Sequence, residues 1–305
     1  MCNFRNVLFF LVQVPILLFA FTNTSDVIGP VPLDQNLNLS TYYPQNIKHV
    51  PEVLISRNEF VISFNQDTRL LNWAAWKVEA SDLGDTPRTN AFLADPVLQT
   101  YLTGFNKQAV QSTDYFESCF DRGHQVPSAD RDSNAEINQV TFLMSNMIPQ
   151  TASLNRYVWA HLEAYTHDLV VNQGKKVYVV AGPIYDEDFG KIGPNKDIPV
   201  PSKNFKLLVV LNKDQSLSDI NATTQIVSVV MPNVLRNGER PLDNKVKLCE
   251  EAKFTPKPPK PPTPPSVSAG DVPPVVTPHP LNDDWKKFEV PVSEIERLSG
   301  FKFSN

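Results

Sequence analysis

Eleven of the twenty-five residues from Pro256 to Pro280 are proline, in runs such as Lys257-Pro258-Pro259-Lys260-Pro261-Pro262. Proline has no backbone N–H and a fixed φ, so such a stretch neither joins a β-ladder nor continues a helix. It is expected to be an extended or disordered excursion, with 255–281 as its bounds. Patterned sequence resumes beyond it. Trp285, Phe288 and Val290 precede Ser293-Glu294-Ile295-Glu296-Arg297-Leu298, where Ser followed by Glu three positions on predicts a capped helix start. Gly300 stops that helix, and Phe301 and Phe303 alternate as a terminal strand would. A chain of 305 residues is long enough for one large domain or two small ones. The expected organisation is one domain whose last segment docks back after a Pro-rich loop. An SH3-type ligand would share the composition, but a flexible surface insertion is the better reading.

The other end has its own pattern. Met1 to Arg5 form a short positive start, and Val7 to Phe21 are apolar except for Gln13. An apolar run of this length falls short of the roughly 20 residues a membrane span needs, so 1–25 is read as a signal peptide and the chain as exported, periplasmic or secreted. An uncleaved anchor is the rival, because no clean A-x-A site follows. After leader cleavage no stable membrane association is expected. Residues 26–52 are read as an N-terminal extension. Removing the leader removes Cys2 and leaves Cys119 and Cys249, which in an oxidising compartment either bond to each other or stand as two separate thiols. Asn23-Thr24-Ser25, Asn38-Leu39-Ser40 and Asn221-Ala222-Thr223 would accept glycans in a eukaryotic secretory route. The net charge of −5 argues against a uniformly basic surface and leaves a local basic cleft open.

The body reads as α+β. Strand-like runs occur at Phe60–Phe64, Leu71–Val78, Lys176–Ala181 (ending at Gly182-Pro183), Phe205–Leu211 and Gln225–Met231. Between Asn155 and Val171, apolar residues recur at three- and four-residue steps and predict a helix. Strands adjacent in sequence with few helices between them suggest a largely antiparallel sheet flanked by helices.

Chemistry concentrates in Cys119-Phe120-Asp121-Arg122-Gly123-His124. On an extended stretch, residues two apart point to one side, so Arg122 and His124 can face the same space. A neutral imidazole can take a proton from water near neutral pH, and a guanidinium grips phosphate oxygens as a fixed fork. Asn155-Arg156-Tyr157-Val158-Trp159-Ala160-His161-Leu162-Glu163 follows on the predicted helix. With these residues the chain resembles the DNA/RNA non-specific endonucleases of the ββα-metal (His-Me finger) type. Asp121 to His124 match the family's D-R-G-H. Leu143-Met144-Ser145-Asn146-Met147-Ile148-Pro149-Gln150 is similar to its L-S-N-x-x-P-Q with one Met inserted, and Asn155 to Glu163 match its N-x7-E helix. Arg88-Thr89-Asn90-Ala91-Phe92 before Asp95-Pro96 resembles its arginine-bearing segment, and Val292 to Phe301 its closing helix. The matches run in order from about Val53 to Phe303, so 53–305 is expected to be the nuclease domain, with the ββα-metal fold.

The resemblance implies a role for each residue. His124 would be the general base, and Asn155 the one direct ligand of a Mg²⁺ ion, with Mn²⁺ as a substitute. Glu163 lies eight residues on, about 12 Å along an α-helix and some 80° around it, so it would act through a metal-bound water. Arg88 and Arg122 would bind phosphate, with Asn146 supporting the substrate site. The implied activity is hydrolysis of DNA and RNA to 5′-phosphate products. Homodimerisation is common in the family and carries over as an expectation. One departure stands out: many relatives have a polar residue four positions before Asn146, and here it is Phe142. An orienting contact for His124 must then come from elsewhere. The rival readings are a catalytically inactive nucleic-acid-binding or surface interaction protein on the same fold, and a zinc hydrolase. The second lacks a ligand cluster, since His161 and His167 are six apart.

Overall fold

The computed structural model describes residues 26–39, 43–261 and 282–303. The signal-peptide reading, the acceptor at Asn23 and most of the Pro-rich stretch lie outside them. Short strands β1 (Asp26–Ile28) and β2 (Gln45–Asn46) come first, followed by β3 (Val53–Ser56), β4 (Val61–Asn65) and β5 (Leu70–Val78). Helix α1 (Pro96–Thr103) is capped by Asp95, whose side chain accepts from the N–H groups of Val97 and Leu98.

Next come β6 (Asp121–His124), α2 (Ala135–Val140), β7 (Met147–Gln150) and α3 (Trp159–Val171). Strand β8 (Lys175–Ile184) is followed by the small pair β9 (Lys191–Ile192) and β10 (Ile198–Pro199), then β11 (Lys203–Asn212) and β12 (Gln225–Pro232). Helices α4 (Lys245–Phe254) and α5 (Val292–Ser299) and strand β13 (Phe301–Lys302) complete the chain.

Seven strands form one sheet in the order β1-β3-β4-β5-β8-β11-β12. Every neighbouring pair is antiparallel except β1 with β3. Residues before 53, expected as an extension, thus supply the parallel edge strand. Both faces of the sheet are buried, which is why β4 and β5 read as nearly continuous apolar runs instead of alternating. The larger core, with Trp76, Val179 and Leu208 from the sheet, lies under Trp159 and Leu162 of α3 and under Met147 and Ile148 of β7. On the other face Trp73, Phe205 and Leu207 meet Ile295 of α5 and Phe301.

The segment after the Pro-rich stretch docks back as the pattern suggests. Trp285 is buried against Tyr165 of α3 at 4.8 Å between ring centroids, and β13 pairs with β2. Gly300 ends α5 in the left-handed region at φ 81°.

Three local expectations change. Ser293 is not a cap: α5 starts one residue earlier with no side-chain cap, and Glu296 Oε1 instead accepts from the N–H of Phe303. Strand β8 runs through Gly182-Pro183 to Ile184. Pro183 is tolerated there because β5 pairs only as far as Ala181, so no ladder bond is lost on that side. Asn38 cannot carry a glycan in the folded chain. It is buried, and its amide donates to Asn58 O while accepting from the N–H of Lys77 and from Arg131. Asn221 is exposed.

Candidate active site

Strands β6 and β7 pair antiparallel, with Gly123 opposite Ile148 and His124 opposite Met147, and the chain then enters the helical run 152–171. This strand–strand–helix unit carries the chemistry-bearing residues. Gly123 is required by close approach, since a Cβ there would lie 2.0 Å from Oε1 of the buried Gln150. The loop between the strands is tied by Asn146, whose Nδ2 donates to Val126 O and Thr141 O and whose Oδ1 accepts from the N–H of Val126. Asn146 is fully buried and does not line the cleft. It holds the segment after His124 in place.

A cleft of about 500 Å³ opens beside the unit. Arg88, Arg122, His124, Asn155 and Glu163 all line it. His124 is buried at its rim, with the rings of Phe142 at 4.9 Å and Phe92 at 5.7 Å set edge-to-face against it. Phe142 and Phe92 also meet each other edge-to-face at 5.2 Å. The two arginines stack on the outside of this aromatic group, Arg122 4.0 Å over Phe92 and Arg88 5.2 Å over Phe142. Phe142, which looked like a lost orienting contact, is thus part of the packing that orients the imidazole. Arg122 is further fixed by donating to Ser112 Oγ at 2.5 Å.

Burial, reinforced by the charges of Arg88 and Arg122, holds the His124 imidazole well below its ordinary pKa of 6.5. Nε2 is buried with no partner among the described residues. The contrast with the two histidines of α3 is sharp: His161 is held by Asp284 at 2.8 Å and His167 by Asp130 at 2.7 Å.

Asn155 does not cap its helix. Its N–H bonds to Thr151 O at 2.9 Å, and it sits inside a π-helical turn, Leu154–Val158, that leads into α3. A π turn takes in one more residue than an α turn, so it re-phases Asn155 relative to Glu163, and both face the cleft. The regular α-helical offset expected from the sequence does not apply. Asp121 sets the Asn155 side chain by accepting from Nδ2 at 2.8 Å. The same carboxylate grips Arg156 in a fork, from Nε at 2.8 Å and from Nη2 at 2.6 Å. With Nδ2 so engaged, Oδ1 of Asn155 is left without a donor among the described residues.

Sequence reasoning missed one residue of the site, Lys206 on β11. Its side chain is buried, with Nζ 3.4 Å from Glu163 Oε1 and 4.1 Å from the Trp159 ring. Burial raises the Glu163 carboxyl pKa and the Lys206 charge opposes that rise. Burial also lowers the Lys206 pKa. A lysine in an otherwise apolar inner strand, Phe205-Lys206-Leu207-Leu208, was the available signal. Cys119 and Cys249 are bonded to each other, S–S 2.00 Å, joining the start of β6 to α4.

The fold and the sequence can be compared with known proteins. The solved EndoG/EndoGI complex, described as showing the mechanism of EndoG inhibition, superposes with TM-score 0.58 at 22% identity, covering 90% of this chain and 91% of that one. A nuclease of Nostoc sp. is 34% identical over 251 residues, 82% of this chain and 72% of that protein. The mitochondrial nuclease of Saccharomyces cerevisiae is 31% identical over 212 residues, 65% of this chain and 60% of that one. Bovine mitochondrial endonuclease G is 30% identical over 203 residues, 63% of each chain. The sequence model of the DNA/RNA non-specific endonucleases matches residues 38–305, and the chain belongs to that family.

Proposed function

We propose that the chain is an exported, Mg²⁺-dependent endonuclease that hydrolyses DNA and RNA with little sequence preference. The observation that carries the mechanism is His124, whose buried Nε2 has no partner among the described residues and whose neighbours Phe92 and Phe142 carry Arg122 and Arg88, in the cleft that Asn155 and Glu163 also line. His124 takes a proton from water as the water oxygen bonds to phosphorus. The P–O3′ bond breaks and the departing O3′ takes a proton from solvent water, leaving a 5′-phosphate and a 3′-hydroxyl. Arg88 and Arg122 hold the phosphate oxygens and balance their charge. Contacts made only to phosphate carry no base information, which suits a non-specific enzyme.

The donor set fits a hard cation that keeps most of its waters. Asn155 would hold Mg²⁺ through Oδ1, oriented by Asp121, and Glu163 would hold one of the ion's waters, with the Lys206 charge favouring its anion against burial. When bound, the ion polarises the scissile phosphate and stabilises the leaving oxygen. Among the described residues no three His, Cys, Asp or Glu side chains converge on one point, so none of them forms a zinc cage.

The test is incubation with supercoiled plasmid and with RNA, in Mg²⁺ or EDTA, with His124→Ala alongside. Cutting of both substrates that needs Mg²⁺ and falls by about 10²–10⁴ in the variant is the expected result. Full activity in the variant removes His124 from the mechanism. No cutting by folded wild type leaves the inactive binding protein as the reading.

A further inference from the structure

The Pro-rich excursion leaves the domain across the cleft. Lys257, Pro258, Pro259, Lys260 and Pro261 line the same space as His124. One end is tied down beside the site: Arg156, the residue gripped by Asp121, donates through Nη1 to Ala252 O at 3.0 Å and to Thr255 O at 2.6 Å. The Cys119–Cys249 bond secures the helix just before it. The other end reaches a second part of the lining, at Asp132. There Lys260 Nζ lies 2.8 Å from Asp132 Oδ2 and donates to Gly84 O at 3.0 Å.

Thr255 is buried and Pro261 half-buried, while residues 256–260 between them are exposed. That is the burial pattern of a span held at its two ends. Three of the four residues from Pro256 to Pro259 are proline, so the span is stiff, and at about 3.1 Å per residue the five steps from Thr255 to Lys260 reach about 15 Å.

We propose that Thr255–Pro261 is a strap over the catalytic cleft, latched by Lys260 on Asp132 and Gly84, that favours single-stranded over duplex nucleic acid. This rests on the nuclease reading above. A cleft of about 500 Å³ is the size that encloses a small ligand, and a flexible single strand can pass a nucleotide at a time beneath a stiff bridge. Duplex DNA, stiff over about 150 base pairs, must displace the bridge to bring a phosphate to His124. Lys257 gives the strap a positive charge toward a passing backbone.

The full chain, its Lys260→Ala variant and a Pro258→Gly/Pro259→Gly variant would be assayed on one oligonucleotide as a single strand and as a hairpin duplex. Wild type is expected to prefer the single strand by about tenfold in kcat/KM, and each variant to narrow that preference by about fivefold through a gain on duplex. An identical preference in all three chains overturns the strap. So does an equal loss on both substrates in Lys260→Ala, which would make Lys260 a phosphate contact. Binding of the same labelled oligonucleotides in EDTA, in a His124→Ala background, reads entry without chemistry. If wild type cuts nothing, the nuclease reading falls while the binding ratio still decides the strap.

Discussion

His124 differs from its neighbours by what surrounds it. Where His161 and His167 meet carboxylates, His124 meets two phenyl rings and two guanidinium groups. All of these disfavour the protonated ring, so the base form persists below the ordinary value of 6.5. The acid limb of a plot of log kcat/KM against pH should therefore bend below pH 6.5. Arg88→Ala removes one of the opposing charges and should move that bend upward, toward 6.5; a bend already above 6.5 in wild type would contradict the assignment. Lys206 acts in the opposite sense on Glu163, favouring its anion against burial and against the charge of Asp130. Lys206→Met should raise the pH at which the carboxylate is lost, shifting the acid limb upward, and should cost about 3–5 kcal/mol in denaturant unfolding because a buried pair loses one partner. The proposed catalytic residues were legible because they lie in short family-like strings. Phe92, Phe142 and Lys206 were not, since their roles depend on which side chains meet across strands and loops.

At the scale of elements, the unit that matters is β6, β7 and the helix that follows, and its working feature is the π turn at Leu154–Val158. Apolar periodicity predicted a helix here and the chain forms one, but periodicity over a long window does not register one wide turn. Asp121 stabilises that turn from the strand side by holding Asn155 and Arg156 together. Asp121→Asn keeps the shape but removes the charge that grips Arg156 and weakens the hold on Asn155. The Mg²⁺ concentration for half-maximal activity should rise about tenfold, read by metal titration at fixed substrate. An unchanged titration would show that Asn155 is oriented by the helix alone. The failed cap at Ser293 has a similar origin. A Ser-x-x-Glu string favours a cap locally, yet here the Glu296 carboxylate reaches the terminal segment at Phe303 instead.

Across the whole molecule, distant segments converge on one cleft. The Cys119–Cys249 bond spans 130 residues and ties α4, the base of the strap, to the start of β6. A cross-link closing so long a loop restricts the unfolded chain strongly, and Cys249→Ser should lower stability by about 2–5 kcal/mol, measured by denaturant midpoint with and without reductant. Equal midpoints in all conditions would show that the bond contributes nothing. The net charge of −5 coexists with a cleft whose lining holds Asp85, Asp121, Asp132 and Glu163, with Arg156 and Lys260 paired to two of these carboxylates and Arg88, Arg122 and Lys257 left to face a phosphate. Attraction for a polyanion is therefore local, and cleavage should slow as salt rises through counterion screening. A rate flat from low to high salt would argue against phosphate contacts as the main source of binding.

The amino-acid order by itself determined the family, the α+β class and most strand positions. These follow from short strings and from the periods of strands and helices, all of them local. The tertiary structure decided the rest: the π turn under Asn155, the aromatic seat of His124, the pairing of Lys206 with Glu163 and the path of the strap from Arg156 to Asp132. Each joins residues far apart in the chain. Burial and packing in three dimensions select such contacts, and a one-dimensional pattern carries no distance between them.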